Sequence, residues 1–174
     1  MRRTLRIVAV VVVAQALLLA LYLYVQSHRD TRSISVERLS RPAPELMMQS
    51  PDGSTSFLSE QRGSTVVLHF WATWCPPCRE ELPSLLEFAS SGGASVRAVS
   101  VDPEWVAVQS FLDGESLGSV YLASDETVSE AFGVDDLPQT FVIDATGVLR
   151  LHFRGPQDWD SSRLRAMIAE LGQE

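Results

Sequence analysis

Two cysteines stand three residues apart in the run Trp74-Cys75-Pro76-Pro77-Cys78. The β-branched and aromatic stretch before them, Thr65 to Ala72, reads as a buried strand. Residues 76 to 90 follow, with Leu82, Leu85, Leu86 and Ala89 at helical spacing. A cysteine at the first turn of a helix meets unpaired N–H groups and the positive end of the helix dipole. Both favour thiolate, the nucleophilic form. Cys75 is therefore expected to attack a substrate disulfide and Cys78 to resolve the mixed disulfide. A static bridge or half of a metal site are the other readings. A bridge over so short a loop adds little stability. A zinc site needs more ligands, and His28, His69 and His152 are not at ligand spacing from the pair. No metal is expected, and no cofactor beyond the redox-active disulfide itself.

The neighbours of the pair carry further expectations. Pro76 and Pro77 remove two amide donors from the turn and supply no cation. Fewer donors mean a less stabilised thiolate and a less oxidising disulfide, which favours a reductant. Trp74 offers an apolar platform to a partner, and Trp71 is expected in the core. Glu81 lies one helical turn after Cys78, where it can approach the pair or stand as a solvated acid beside Glu80. Asp135 and Asp136 read as solvated loop charge. Met47-Met48 invite a copper reading but are expected to pack beneath the sheet.

These residues need a scaffold, and the rest of the chain supplies one. Asp52-Gly53 separates two short segments as a hairpin would. After the helix, Gly92-Gly93 stops it, and Ser95 to Val101 reads as a strand. Asp102-Pro103 reads as an N-cap and first-turn proline opening a helix through about Leu112. Val120 to Ala123 forms a short strand, and Asp125 to Phe132 a helix closed by Gly133. Thr140 to Asp144 and Val148 to Phe153 are strands joined by Ala145-Thr146-Gly147. Trp159 to Leu171 closes the chain as an amphipathic helix capped by Asp160 or Ser161. Strands alternating with helices call for an α/β fold: a mixed sheet flanked by helices on both faces.

Residues 42 to 174 resemble the thioredoxin superfamily, and within it the membrane-anchored TlpA/ResA/CcmG (DsbE)-type thiol–disulfide oxidoreductases. The resemblance rests on Phe70-Trp71-Ala72-Thr73-Trp74-Cys75-Pro76-Pro77-Cys78-Arg79-Glu80-Glu81-Leu82-Pro83 and on Gly133 to Asp144, with Leu58 to Gly63 as a lead-in. It implies a thioredoxin-like fold with an N-terminal β-hairpin extension. It makes Pro138 a cis-proline facing the disulfide, so that a substrate segment pairs with Leu137 beside Cys75. It places an active-site carboxylate at Glu81, able to exchange the proton of the resolving thiol. It tolerates Pro83 as a kink within the helix. His69 departs from the pattern: thioredoxins proper carry a buried Asp there, and closer relatives a neutral polar residue. Two readings of His69 stand, a proton relay and a core histidine bonded to a backbone carbonyl.

Ahead of the domain, Ile7 to Gln26 is uncharged and long enough, at about 30 Å of helix, to cross a hydrocarbon core. Arg2, Arg3 and Arg6 precede it, and Tyr22 and Tyr24 sit at interfacial positions. A cleaved signal peptide is the rival, but the run is long and ends without a small-residue cleavage pattern. The expected organisation is a cytoplasmic N-terminus at 1–6, an anchor at 7–26, a polar tether at 27–41 and the thioredoxin-like domain at 42–174. The domain would stand on the periplasmic side of the cytoplasmic membrane. Residues 1 to 41 hold seven Arg and two acids, for +5, and residues 42 to 174 seven Arg and 20 acids, for -13. So acidic a domain is no nucleic-acid binder and prefers basic partners.

The expected activity is reduction of protein disulfides outside the cytoplasmic membrane. Electrons would come from a membrane thiol reductase, because exported compartments are oxidising. The resemblance implies apocytochrome c as one substrate, in cytochrome c maturation. A thiol-dependent peroxidase of the redoxin type is an alternative, although that chemistry resembles Thr at position 75 with Cys at 78. A copper or haem chaperone is another, although copper carriers on this fold resemble a longer Cys-x-x-x-Cys spacing.

Overall fold

The computed structural model describes Arg6 and residues 12–22, 36–92, 94–113 and 117–172. The chain divides into two compact units, Met1–Ser33 and Ile34–Glu174. In the first, residues 12–22 form helix α1 with every side chain exposed. Among the described residues no helix is long and apolar enough to cross a membrane. Residues 7–11 and 23–26 of the expected span, and 27–35 of the expected tether, lie outside the described residues.

The second unit is built on one eight-stranded mixed sheet. Its strands are β1 (Val36–Pro42), β2 (Met47–Gln49), β3 (Thr55–Phe57), β4 (Val66–Trp71), β5 (Ser95–Ser100), β6 (Val120–Leu122), β7 (Gln139–Ile143) and β8 (Val148–Arg154). The helices are α2 (Pro76–Ser90), α3 (Trp105–Phe111), α4 (Asp125–Phe132) and α5 (Ser162–Leu171). Sheet order is β1-β8-β7-β4-β5-β6-β2-β3. The strand leading to the cysteines, β4, lies between parallel β5 and antiparallel β7, and all six of its side chains are buried. That explains its lack of polar alternation, with His69 the one polar side chain: a strand covered on both faces loses alternation.

Alternate residues of β4 face opposite layers. Phe70 packs with Phe132 of α4 and Phe141 of β7 on one face. On the other, Trp71 meets Phe111 of α3, and His69 meets the edge of Trp159, which packs on Phe88 of α2. Each fully buried side chain of this size contributes about 1.5–3 kcal/mol relative to exposure. Helix α4 ends where expected, at Gly133, whose φ of +70° is costly for any residue with a Cβ. The Asp52-Gly53 turn joins β2 to β3 in antiparallel register at the far edge of the sheet.

Four expectations need correction. Val36–Pro42, inside the stretch read as a tether, is strand β1, paired antiparallel with β8 from Val36↔Phe153 to Pro42↔Val148. Its register breaks between Arg38 and Arg41, and its charged side chains point to solvent. An edge strand of this kind hides its alternation. Helix α3 starts at Trp105 with Glu104 at its N-cap, so Asp102 does not cap it. Helix α5 starts at Ser162, and Ser161 occupies the N-cap without a side-chain capping bond. Trp159 instead precedes the helix as a fully buried core residue. The methionine pair divides: Met48 is fully buried, and Met47 is exposed.

Candidate active site

Strand β4 ends at Trp71, and the chain turns at once into α2. The Cys75 N–H donates to the Ala72 carbonyl at 3.2 Å, closing that turn. Cys75 is the N-cap of α2 in extended conformation, and its Sγ accepts the Cys78 N–H at 3.3 Å. Pro76 and Pro77 fill the first two helical positions. The helix start that would ordinarily aim several N–H groups at Sγ therefore offers Cys78's alone as a bonded donor. Cys75 and Cys78 form a disulfide with Cα atoms 5.3 Å apart. Cys75 is 3% exposed and Cys78 fully buried. Trp74 beside them is 64% exposed, an apolar surface with no cover, whereas Trp71 lies fully inside the core.

The turn is pinned from a residue that sequence reasoning assigned elsewhere. The buried Asp102 carboxylate accepts the Thr73 N–H and the Thr73 hydroxyl, both at 2.8 Å. It also accepts the Ser100 hydroxyl at 2.6 Å. These are charge-assisted bonds, stronger than neutral ones. They fix Thr73, two residues before Cys75, to the end of β5.

Glu81 sits one turn past Cys78 on the same helical face and is only 4% exposed. Its Oε1 accepts the indole N–H of Trp159 at 2.6 Å, and its Oε2 is buried without a hydrogen-bond partner. Burial disfavours the carboxylate and raises its pKa to about 7, against the opposing pull of Trp159 and the Gln157 backbone. An acid poised near neutrality can take up a thiol proton and give it back. Of the two readings of Glu81, the solvated helix acid does not fit this burial.

His69 is fully buried. Its Nδ1 pairs with the Thr140 hydroxyl at 2.9 Å, where a backbone carbonyl was expected, and its Nε2 has no partner. Burial lowers its pKa to about 3, so the ring is neutral at ordinary pH. Its ring meets the edge of Trp159, the indole that bonds Glu81, with centroids 6.3 Å apart.

Pro138 follows a cis peptide bond from Leu137. Gln139, next in the chain, lies opposite Phe70 of β4, which places the proline at the end of the sheet that carries Cys75. The Pro138 carbonyl accepts the Gly155 N–H at 2.9 Å. Asp135 and Asp136 are exposed, as expected of solvated loop charge, and they also accept the side-chain amide of buried Gln139. Trp159, Asp102 and Gln139 were all missed as site residues. No local spacing marks them, because Trp159 and Glu81 are 78 positions apart and Thr73 and Asp102 are 29 apart. Among the described residues no group of three or more His, Cys, Asp or Glu side chains is placed to hold a metal ion.

The AhpC/TSA family profile matches residues 39–152. The thiol–disulfide oxidoreductase ResA of Geobacillus thermodenitrificans is 30% identical over 154 residues, 86% of this chain and 88% of that protein. ResA of Bacillus subtilis is 34% identical over 109 residues, 60% of this chain, which spans 61% of that relative's length. A crystal structure from Chlorobium tepidum, assigned as a thiol:disulfide interchange protein DsbE, shares 27% identity and a TM-score of 0.65. That similarity covers 75% of this chain and 96% of the other.

Proposed function

The chain belongs to the AhpC/TSA family and is of the ResA/DsbE thiol–disulfide oxidoreductase type within the thioredoxin superfamily, and from that premise we propose that it reduces protein disulfides. The observation that carries the reading is the Cys75–Cys78 disulfide at the start of α2, with the buried acid Glu81 one turn behind it.

The reduced pair would work in two steps. The Cys75 thiolate attacks one sulfur of the substrate disulfide, and the other substrate sulfur leaves as a thiolate that takes a proton from solvent. Cys78 then attacks Cys75 Sγ, its thiol proton passing to Glu81, and the first substrate sulfur leaves as the second thiolate. Glu81 passes that proton on to the second thiolate, so the substrate gains two electrons and two protons, and the enzyme disulfide is restored. Leu137 and Pro138 border the approach and guide the substrate segment, with Trp74 as its apolar contact. His69, held neutral, walls the buried side, and we assign proton transfer to Glu81.

We further propose that residues 7–26 anchor the protein in the cytoplasmic membrane with the domain on the outer side. A membrane thiol reductase would recharge it, and apocytochrome c is one substrate class. Support comes from the uncharged run at 7–26 and from the ResA and DsbE relatives. The peroxidase alternative draws on the AhpC/TSA match, and peroxide consumption with a thiol reductant tests it.

A redox titration of the full chain in thiol buffers, read by Trp fluorescence, tests the main reading. Scarcity of donors at Cys75 Sγ leads us to expect a potential below about -200 mV. A value near about -120 mV would make the protein a disulfide former and overturn the reductase assignment.

A further inference from the structure

A buried line of side chains runs inward from the proline loop. Gln139 is fully buried although it is polar and uncharged. Its Nε2 donates to Oδ1 of Asp136 and, at 3.4 Å, to Oδ1 of Asp135. Carboxylates only accept, so they fix which end of the amide faces the loop. Oε1 of Gln139 therefore points the other way, where Nε2 of His152 meets it at 2.8 Å. An acceptor there requires Nε2 of His152 to carry the proton. The ring is seated by stacking on Phe141, centroids 4.1 Å apart and planes within 8°. His152 lies directly opposite Phe141 in β7 and opposite Glu37 in β1.

The charges facing His152 leave this bond alone. Glu37 Oε2 stands 3.5 Å from Nδ1, a distance too long to compete with the 2.8 Å bond at Nε2. Arg41 of β1 and Arg154 of β8 are the other charged neighbours, and Arg154 also pairs with Asp135 at 3.6 Å. Whether or not Nδ1 gains a proton, Nε2 keeps its own. The hold on Gln139 thus persists in both charge states.

We propose that Gln139 and His152 are positioning residues for the substrate: from inside the sheet they hold the Asp135–Pro138 loop in the geometry that presents the Leu137 backbone. The proposal rests on the assignment of Leu137 and Pro138 as the substrate guide. It locates the control of substrate affinity on strands β7 and β8, apart from the cysteines. Loosening the loop should weaken binding of a protein disulfide and leave the sulfur chemistry untouched.

The test uses the full chain, with insulin as the protein disulfide and dithiothreitol as the small reductant. His152→Phe keeps the stack on Phe141 and removes the donor. Gln139→Leu removes the amide. His152→Gln keeps an N–H donor at the end of the side chain. The first two should raise KM for insulin about tenfold, the effect of one lost buried hydrogen bond, with kcat within about twofold. The equilibrium with dithiothreitol should not move, and His152→Gln should restore most of the affinity. Asp136→Ala severs the same tie from the exposed end and should give the same rise even where a core variant fails to fold.

An unchanged KM in Asp136→Ala or in any folded core variant overturns the proposal. So does a dithiothreitol equilibrium that shifts along with KM, which would place the effect at the disulfide. If the wild type reduces no protein disulfide, the reductase assignment falls. The hold itself is then read from the backbone amide NMR signals of Asp135 to Leu137. They should shift in His152→Phe and return in His152→Gln, and signals that stay put overturn it.

Discussion

Replacing Glu81 with Gln separates the cost of a buried acid from its use. In the unfolded chain the carboxyl titrates at its ordinary 4.5, and in the fold at about 7. Below the lower value it is protonated in both states and costs nothing. Between the two, the unfolded chain ionises while the folded one holds its proton, so stability falls as pH rises. Above the folded value the loss is complete. A shift from 4.5 to about 7 corresponds to roughly 3 kcal/mol. Gln keeps an oxygen for the Trp159 indole but cannot ionise. Urea unfolding of oxidised wild type and Glu81→Gln from pH 4 to pH 8 gives the difference directly, since the other titrating groups cancel. The variant should gain on the wild type as pH rises, by up to roughly 3 kcal/mol at pH 8. Its second chemical step, followed in single turnover, should slow by about 100-fold or more, as expected when a general base is removed. Parallel stability curves would refute the elevated pKa, and unchanged turnover would refute the proton transfer.

Trp159→Phe removes the indole donor that stabilises the Glu81 carboxylate, so the pH midpoint of turnover should move above its wild-type value; a pH–rate profile checks it. Asp102→Ala leaves Thr73 without its anchor and should cost about 2–3 kcal/mol in urea unfolding, the range for bonds to a buried charge. Burial pushes the Asp144 carboxyl up, but bonds from Thr146, Val148 and Arg150 overcome it and hold the pKa at about 2. Its stabilising effect is therefore present above the usual carboxylate pKa and lost as pH falls through about 2. Asp144→Asn should flatten this part of the acid-unfolding curve, as far-UV circular dichroism would show.

What the sequence made legible is what short-range chemistry controls. The β-branched and aromatic run of β4, the Cys-Pro-Pro-Cys turn and Gly133 each act on their own neighbours, and each stands where its residues place it. Asp102 misled because an Asp before a proline has the local chemistry of a cap. Its carboxylate goes instead to Thr73, a partner that adjoins it only once β4 and β5 pair. The tie between Gln139 and His152 is likewise a product of cross-strand register. Strand β1 was hidden by its Arg and Glu residues, which suit an edge as well as a linker.

The direction of β1 has a practical consequence for handling the protein. It runs antiparallel to β8 and begins at Val36 opposite Phe153, so the chain enters the domain at the end of the sheet where Pro138 lies. Three strand spacings, about 14 Å, separate that entry from β4. The last described residue, Gly172, packs near Thr65, at the opposite end of β4. A bead, fluorophore or fusion partner joined just before β1 would crowd the face that meets substrate. The same cargo joined after α5 would leave that face open.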